Sequence, residues 1–148
     1  MQPLAVTLGE PAGIGPDLTL AVWRRRAEFA IPTFYVTADA DFLRRRAGAL
    51  GLDVPIAVVR PQAAAAAFSE ALPVVETGVK AGADPGRPDR SSAPAAISSI
   101  RRAVADVLAG SAAAIVTNPV AKNVLYEGGF AEPGHTEFLA TLLEESSG

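Results

Sequence analysis

The chain has 148 residues, 49% of them apolar and 20% charged, with a formal net charge of −3. One domain's worth of chain with that much apolar surface excludes a disordered protein, and the mild acidity argues against a nucleic-acid partner. With no cysteine and one histidine, disulfides, thiolate nucleophiles and thiolate metal ligands are excluded as well.

No apolar run reaches the roughly 18 residues that span a bilayer. The start, MQPLAVTLGEPAG, lacks the basic and apolar regions of a signal peptide. The expectation is a cytoplasmic protein with no membrane and no nucleic-acid partner.

In chain order, Leu4–Leu8 reads as a buried strand followed by the loop Gly9–Gly15. Pro16 suits the first position of a helix and Asp17 its first turn. Leu18, Ala21 and Val22 have the spacing of that helix's buried stripe, and Arg24–Arg26 close it. Strands are predicted at Thr33–Thr37 and Ile56–Val59, with a helix from Asp41 to Leu50 between them, stopped by Gly51. The alanine-rich residues 61–71 predict a short helix and Val74–Glu76 an edge strand. Gly78 to Ser92 carries three glycines and two prolines and reads as a long loop. A helix over Pro94–Leu108, with Ser91 or Ser92 as its cap, shows Ile97, Ile100 and Val104 at helical spacing and stops at Gly110. Ala113–Thr117 then reads as a buried strand, Val120–Tyr126 as a short helix, and a last helix opens near Thr136. The alternation predicts an α/β protein of three layers, α/β/α, with a mixed or mostly parallel sheet.

Three stretches have the composition of a binding site. Gly9-Glu10-Pro11-Ala12-Gly13-Ile14-Gly15-Pro16 joins a strand to a helix, where glycines admit a close ligand and free N–H groups favour anions. It satisfies neither dinucleotide nor P-loop spacing, and tight strand-to-helix packing explains Gly13 and Gly15 equally well. Thr117-Asn118-Pro119-Val120-Ala121-Lys122 leaves the C-terminal end of a strand, the position where open α/β sheets bind ligands. Thr117, Asn118 and Lys122 have the groups to hold a phosphate or carboxylate, while Asn-Pro is also an ordinary turn starter. Gly134-His135-Thr136-Glu137-Phe138 places an imidazole and a hydroxyl where a helix begins. Thr136 serves there as a ligand group or simply as an N-cap. One histidine cannot by itself build a metal centre.

Taken together, GEPAGIGPD at 9–17, TNPVAK at 117–122 and GHTEFLA at 134–140 resemble the 4-hydroxythreonine-4-phosphate dehydrogenase family of pyridoxal phosphate biosynthesis. The resemblance runs over essentially the whole chain and covers only the N-terminal portion of the family. It implies an NAD-dependent enzyme that oxidises 4-phosphohydroxy-L-threonine, with decarboxylation assisted by a divalent metal. It also implies a fold like the isocitrate and isopropylmalate dehydrogenases, with two lobes and a homodimer. The family's substrate-binding pair falls on His135 and Thr136. Gly13, Gly15, Thr117 and Lys122 are further cleft candidates, argued from loop position.

The family's metal-binding histidines lie beyond GHTEF, and no histidine follows His135. Residues 1–148 are therefore read as the N-terminal α/β portion of a two-lobed dehydrogenase, with the second lobe outside this chain. Catalytic residues and metal ligands are not assigned here, and the chain alone is expected to be inactive. An apolar patch on the last helix and the glycine-loop face is expected with it. The alternatives are a catalytically silent fragment, a module that binds a phosphorylated metabolite, or a branch acting on phosphorylated threonate, erythronate or a dihydrodiol.

Overall fold

The computed structural model describes residues 1–147. The chain runs β1 Leu4–Thr7, α1 Gly15–Arg24, β2 Phe34–Ala38, α2 Ala40–Ala49 and β3 Ile56–Val58. A 3₁₀ turn at Pro61–Ala63 leads into α3 Ala64–Ala67 and then β4 Leu72–Glu76. A second 3₁₀ turn, Arg90–Ser92, precedes α4 Ala93–Leu108, which is followed by β5 Ala114–Val116, α5 Lys122–Glu127 and α6 His135–Ser147. No helix among the described residues is long and apolar enough to cross a membrane.

The five strands form one sheet in the order β3-β4-β2-β1-β5, and every pair is parallel. A parallel pair needs a crossover long enough to return the chain to the same end of the sheet. Side chains alternate between the two faces of each strand. Val6, Phe34, Val36, Leu72 and Val74 pack with Leu20 and Trp23 of α1 and with Phe42 and Leu43 of α2. Ala5, Tyr35 and Val75 turn to the other face, against Ala103 of α4. The three layers are as expected, and the sheet is wholly parallel. From β1 the chain moves to β2 on one side, while β5 joins β1 on the other. The C-terminal ends of β1 and β5 thus flank a topological switch point.

Four local expectations are corrected. Val74–Glu76 belongs to β4, an interior strand between β3 and β2, because the order of pairing differs from the order of sequence. Ala113–Thr117 contains β5, an exposed edge strand with Val116 44% accessible. The stripe of α1 is inverted: Leu18 and Val22 are 46% and 40% exposed and Ala21 is exposed too. Thr19, Leu20 and Trp23 face the core instead, because the large Trp23 ring and its N–H, donated to the Phe68 carbonyl at 3.0 Å, decide the orientation. Leu18 and Val22 line an apolar groove with Leu4, Val6, Phe34 and Val116 beside the β5 edge, and Leu143 on α6 is also exposed. Finally, Ser92 precedes α4 without capping it by its side chain; its hydroxyl donates to Glu10 Oε2 at 3.0 Å.

Helix α4 is tied to the sheet by buried polar groups. The Leu8 N–H donates to Ser99 Oγ at 2.8 Å, and Ser99 Oγ donates to the Thr37 carbonyl at 2.6 Å. Thr37 Oγ1 returns a bond to the Ser99 carbonyl at 2.9 Å. Near the helix end, the Tyr35 hydroxyl donates to Asp106 Oδ2 at 2.8 Å, and Arg102 Nε to Asp106 Oδ1 at 2.9 Å. Burial, then the bond to Asp106, raises the Tyr35 hydroxyl well above its ordinary titration range, so it stays a donor.

Ser99→Ala leaves the Leu8 N–H and one acceptor pair unsatisfied in a dry interior. The expected loss of unfolding free energy is about 2–3 kcal/mol, read as a lower denaturation midpoint in urea at unchanged m-value.

Candidate functional site

The loop after β1 is folded upon itself and upon the loop after β5. Gly9 has φ +74°, and a Cβ there would stand 2.7 Å from the Pro119 carbonyl oxygen. A Cβ on Gly15 would stand 2.8 Å from the Leu8 carbonyl oxygen and 3.0 Å from Asn118 Cβ. Between these two glycines sits Asn118. Its Nδ2 donates to the Thr7 carbonyl and to Thr19 Oγ1, both at 2.8 Å, and its backbone N–H donates to Thr7 Oγ1 at 3.0 Å. One amide side chain therefore fastens β1, α1 and the β5 loop together.

Three of the loop's own N–H groups are occupied, while those of Ile14 and Gly15 have no acceptor among the described residues. The Glu10 N–H donates to the Pro119 carbonyl at 2.9 Å, and the Gly13 N–H to the Glu10 carbonyl at 2.9 Å. The Ala12 N–H donates to Glu10 Oε1 at 3.0 Å. The buried Arg46 supplies Nη2 to the Gly13 carbonyl at 3.1 Å and pairs through Nε with Asp17. A phosphate cradle needs free N–H groups converging on one point. Here Gly9 and Gly15 serve close packing, and the Gly13 N–H is bonded within the loop. The spacing permitted either outcome.

A different arrangement forms where α5 and α6 begin. His135 opens α6, with Thr136 exposed in its first turn. The first helix bond is donated by the Phe138 N–H to the Gly134 carbonyl at 3.1 Å, so Thr136 lies inside the helix and is not its N-cap. The His135 Nε2 is buried and has no hydrogen-bond partner. Burial, and secondarily the positive charge of Lys122, pushes the imidazole below its ordinary value of 6.5. A half-buried, neutral imidazole with a vacant nitrogen and an adjacent hydroxyl can donate to or accept from a polar ligand.

Of the candidate residues, then, Lys122 and His135 come together, with Thr136 next to His135. Thr117 is exposed at the end of β5, where its neighbour Asn118 is committed to Thr7 and Thr19. Glu10, Arg46, Ser92 and Ser99 hold the loops; Arg46 and Ser99 escaped the sequence reading, which took Ser92 only as a cap and Glu10 only as part of the glycine stretch. Nothing in local spacing marks a buried polar residue whose partners lie tens of positions away. Among the described residues no three His, Asp or Glu side chains stand close enough to hold a metal ion. The donor set of the described residues therefore does not fit a divalent metal.

Residues 30–147 match the family described as pyridoxal phosphate biosynthetic protein PdxA. The 4-hydroxythreonine-4-phosphate dehydrogenase of Bradyrhizobium diazoefficiens is 60% identical over 149 residues, covering 95% of this chain and 43% of that protein. The crystal structure of a 4-hydroxythreonine-4-phosphate dehydrogenase from Burkholderia phymatum superposes with a TM-score of 0.82 at 27% identity, over 97% of this chain and 44% of that one. The enzyme of the same name from Klebsiella pneumoniae gives 0.80 at 31% identity, over 97% and 45%. The chain thus spans less than half the length of the relatives it matches.

Two outcomes follow from this geometry. Gly15→Ala drives a methyl group into the Leu8 carbonyl and Asn118, and is expected to lower stability by about 1–3 kcal/mol, measured by thermal or urea unfolding. The His135 imidazole, the one such signal in an NMR titration, is expected to titrate below 6.5. The unfolded chain then binds the proton more readily than the folded one. Stability is therefore lost as pH falls through 6.5 and on to the lower folded value. That loss is absent from His135→Asn.

Proposed function

The chain belongs to the pyridoxal phosphate biosynthetic protein PdxA family, and on that footing we propose that it supplies the substrate-binding N-terminal part of an NAD-dependent dehydrogenase. The reaction is oxidation of the secondary alcohol of 4-phosphohydroxy-L-threonine followed by loss of carbon dioxide. A homodimer in the cytoplasm, with NAD and a divalent metal, completes the proposal.

The observation that carries this reading is the His135–Thr136 pair at the start of α6. His135 Nε2 is buried without a partner, and leaving a polar atom so costs free energy until a ligand satisfies it. Because burial keeps the ring neutral, one ring nitrogen donates while the other accepts. That suits a ligand bearing a hydroxyl beside anionic oxygens. Thr136 adds a hydroxyl from the next position. These groups bind and orient; they are not assigned a part in hydride transfer.

A second reading is favoured by the donor chemistry already described. Without a metal-holding cluster among the described residues, residues 1–148 taken alone act as a binding module for the phosphorylated hydroxy acid.

The two readings separate in one experiment. The 148-residue chain, verified by mass, is titrated with 4-phosphohydroxy-L-threonine and then assayed for NADH formation with NAD and a divalent metal. Saturable binding without NADH is expected, weakened by about tenfold in His135→Asn. Turnover by the 148-residue chain would overturn the binding-module reading. Binding that ignores the His135 substitution would overturn the site.

A further inference from the structure

Lys122 is placed by two accidents of local structure. It is the first residue of α5, and it faces Gly134, the residue before α6. Its Nζ lies 3.8 Å, and its Cε 3.9 Å, from the point where a Cβ on Gly134 would stand. The lysine stem thus lies within van der Waals distance of the start of α6. Among the described residues Lys122 forms no ion pair and donates no hydrogen bond, whereas Lys80 is held by Asp39 and Asp41. Lys122 is therefore a free ammonium whose charge reaches the His135 imidazole, a ring whose Nε2 also has no partner.

We propose that Lys122 is a specificity-determining residue of the His135–Thr136 site, its ammonium taking the phosphate-monoester or carboxylate oxygens of the ligand. This rests on the reading of His135 and Thr136 as ligand groups. Two features support the assignment. A lysine ammonium is a mobile point charge with three donors, able to meet a tetrahedral anion from several directions. The N–H groups of His135, Thr136 and Glu137 lie upstream of the first helix bond, at the positive end of a 13-residue helix.

Glu137 sets the limit on this charge. Its Oε2 stands 3.0 Å from the same Gly134 Cβ point, yet it forms no salt bridge with Lys122. A bound anion must displace this carboxylate or tolerate it. Removing its charge therefore strengthens anion binding, and removing the Lys122 charge weakens it. A structural role for Lys122 predicts neither change.

The test uses the 148-residue chain and follows the imidazole of its single histidine by NMR at fixed pH, with inorganic phosphate and O-phospho-L-threonine as probes. Wild type and Lys122→Arg are expected to show saturable shifts at His135. Lys122→Met is expected to bind about tenfold more weakly, and Glu137→Gln more tightly. Lys122 is exposed, so an unchanged amide spectrum verifies that the variants keep the fold. Equal binding by wild type and Lys122→Met overturns the role of Lys122 and leaves the His135 site standing. No response at His135 in any variant overturns both.

Discussion

Everything at the C-terminal edge of the sheet depends on the side-chain amide of Asn118. It enters the space that Gly9 and Gly15 leave empty and bonds the Thr7 carbonyl and the Thr19 hydroxyl. A parallel sheet brings β1 and β5 side by side, but ladder bonds do not fix the loops that leave them. Asn118 does, and its reach is what requires glycine at two positions of the preceding loop. The switch point is thereby a rigid floor.

Rigidity there has a cost in available chemistry. The N–H groups of Glu10, Ala12 and Gly13 are engaged inside the loops, and Arg46 is bound to Gly13 and Asp17. The part of the chain that most resembles a ligand loop thus also serves as a structural joint. Arg46 Nη1 is left without a partner beside that loop, and His135 Nε2 is left so at the start of α6. A protein that binds an anion needs polar groups not already matched by its own backbone, and Lys122 and His135 meet that condition.

Helix α4 provides the second support. Ser92 at its start, Ser99 in its middle and Asp106 near its end each bond a different part of the molecule: Glu10, the ends of β1 and β2, and Tyr35. Its apolar residues Ile100 and Val104 carry Phe138 and Leu142 of α6. The position of His135 is consequently inherited from α4 through the packing of α6. On the opposite face Leu18, Val22 and Val116 lie open to solvent beside the β5 edge, since the sheet offers no further strand there among the described residues.

The sequence alone determined the kind of each element and the three stretches worth attention. The run Leu4–Leu8, the spacing of Ile97, Ile100 and Val104, and the stops at Gly51 and Gly110 act over a few residues and were legible as such. The grouping of the glycine, TNPVAK and GHTEF stretches was legible too, and the pair His135–Thr136 stood out within it. What only the tertiary structure decided was which face, which edge and which polar atom. Helix α1 is apolar on two sides, so periodicity could not choose between Leu18 and Trp23. β4 and β5 exchange interior and edge because pairing ignores chain order. Leu8 and Ser99 are 91 positions apart, and Asn118 and Thr7 are 111 apart. Local propensity carries no information over such separations, and it is those long-range bonds that leave Asn118 committed and His135 free.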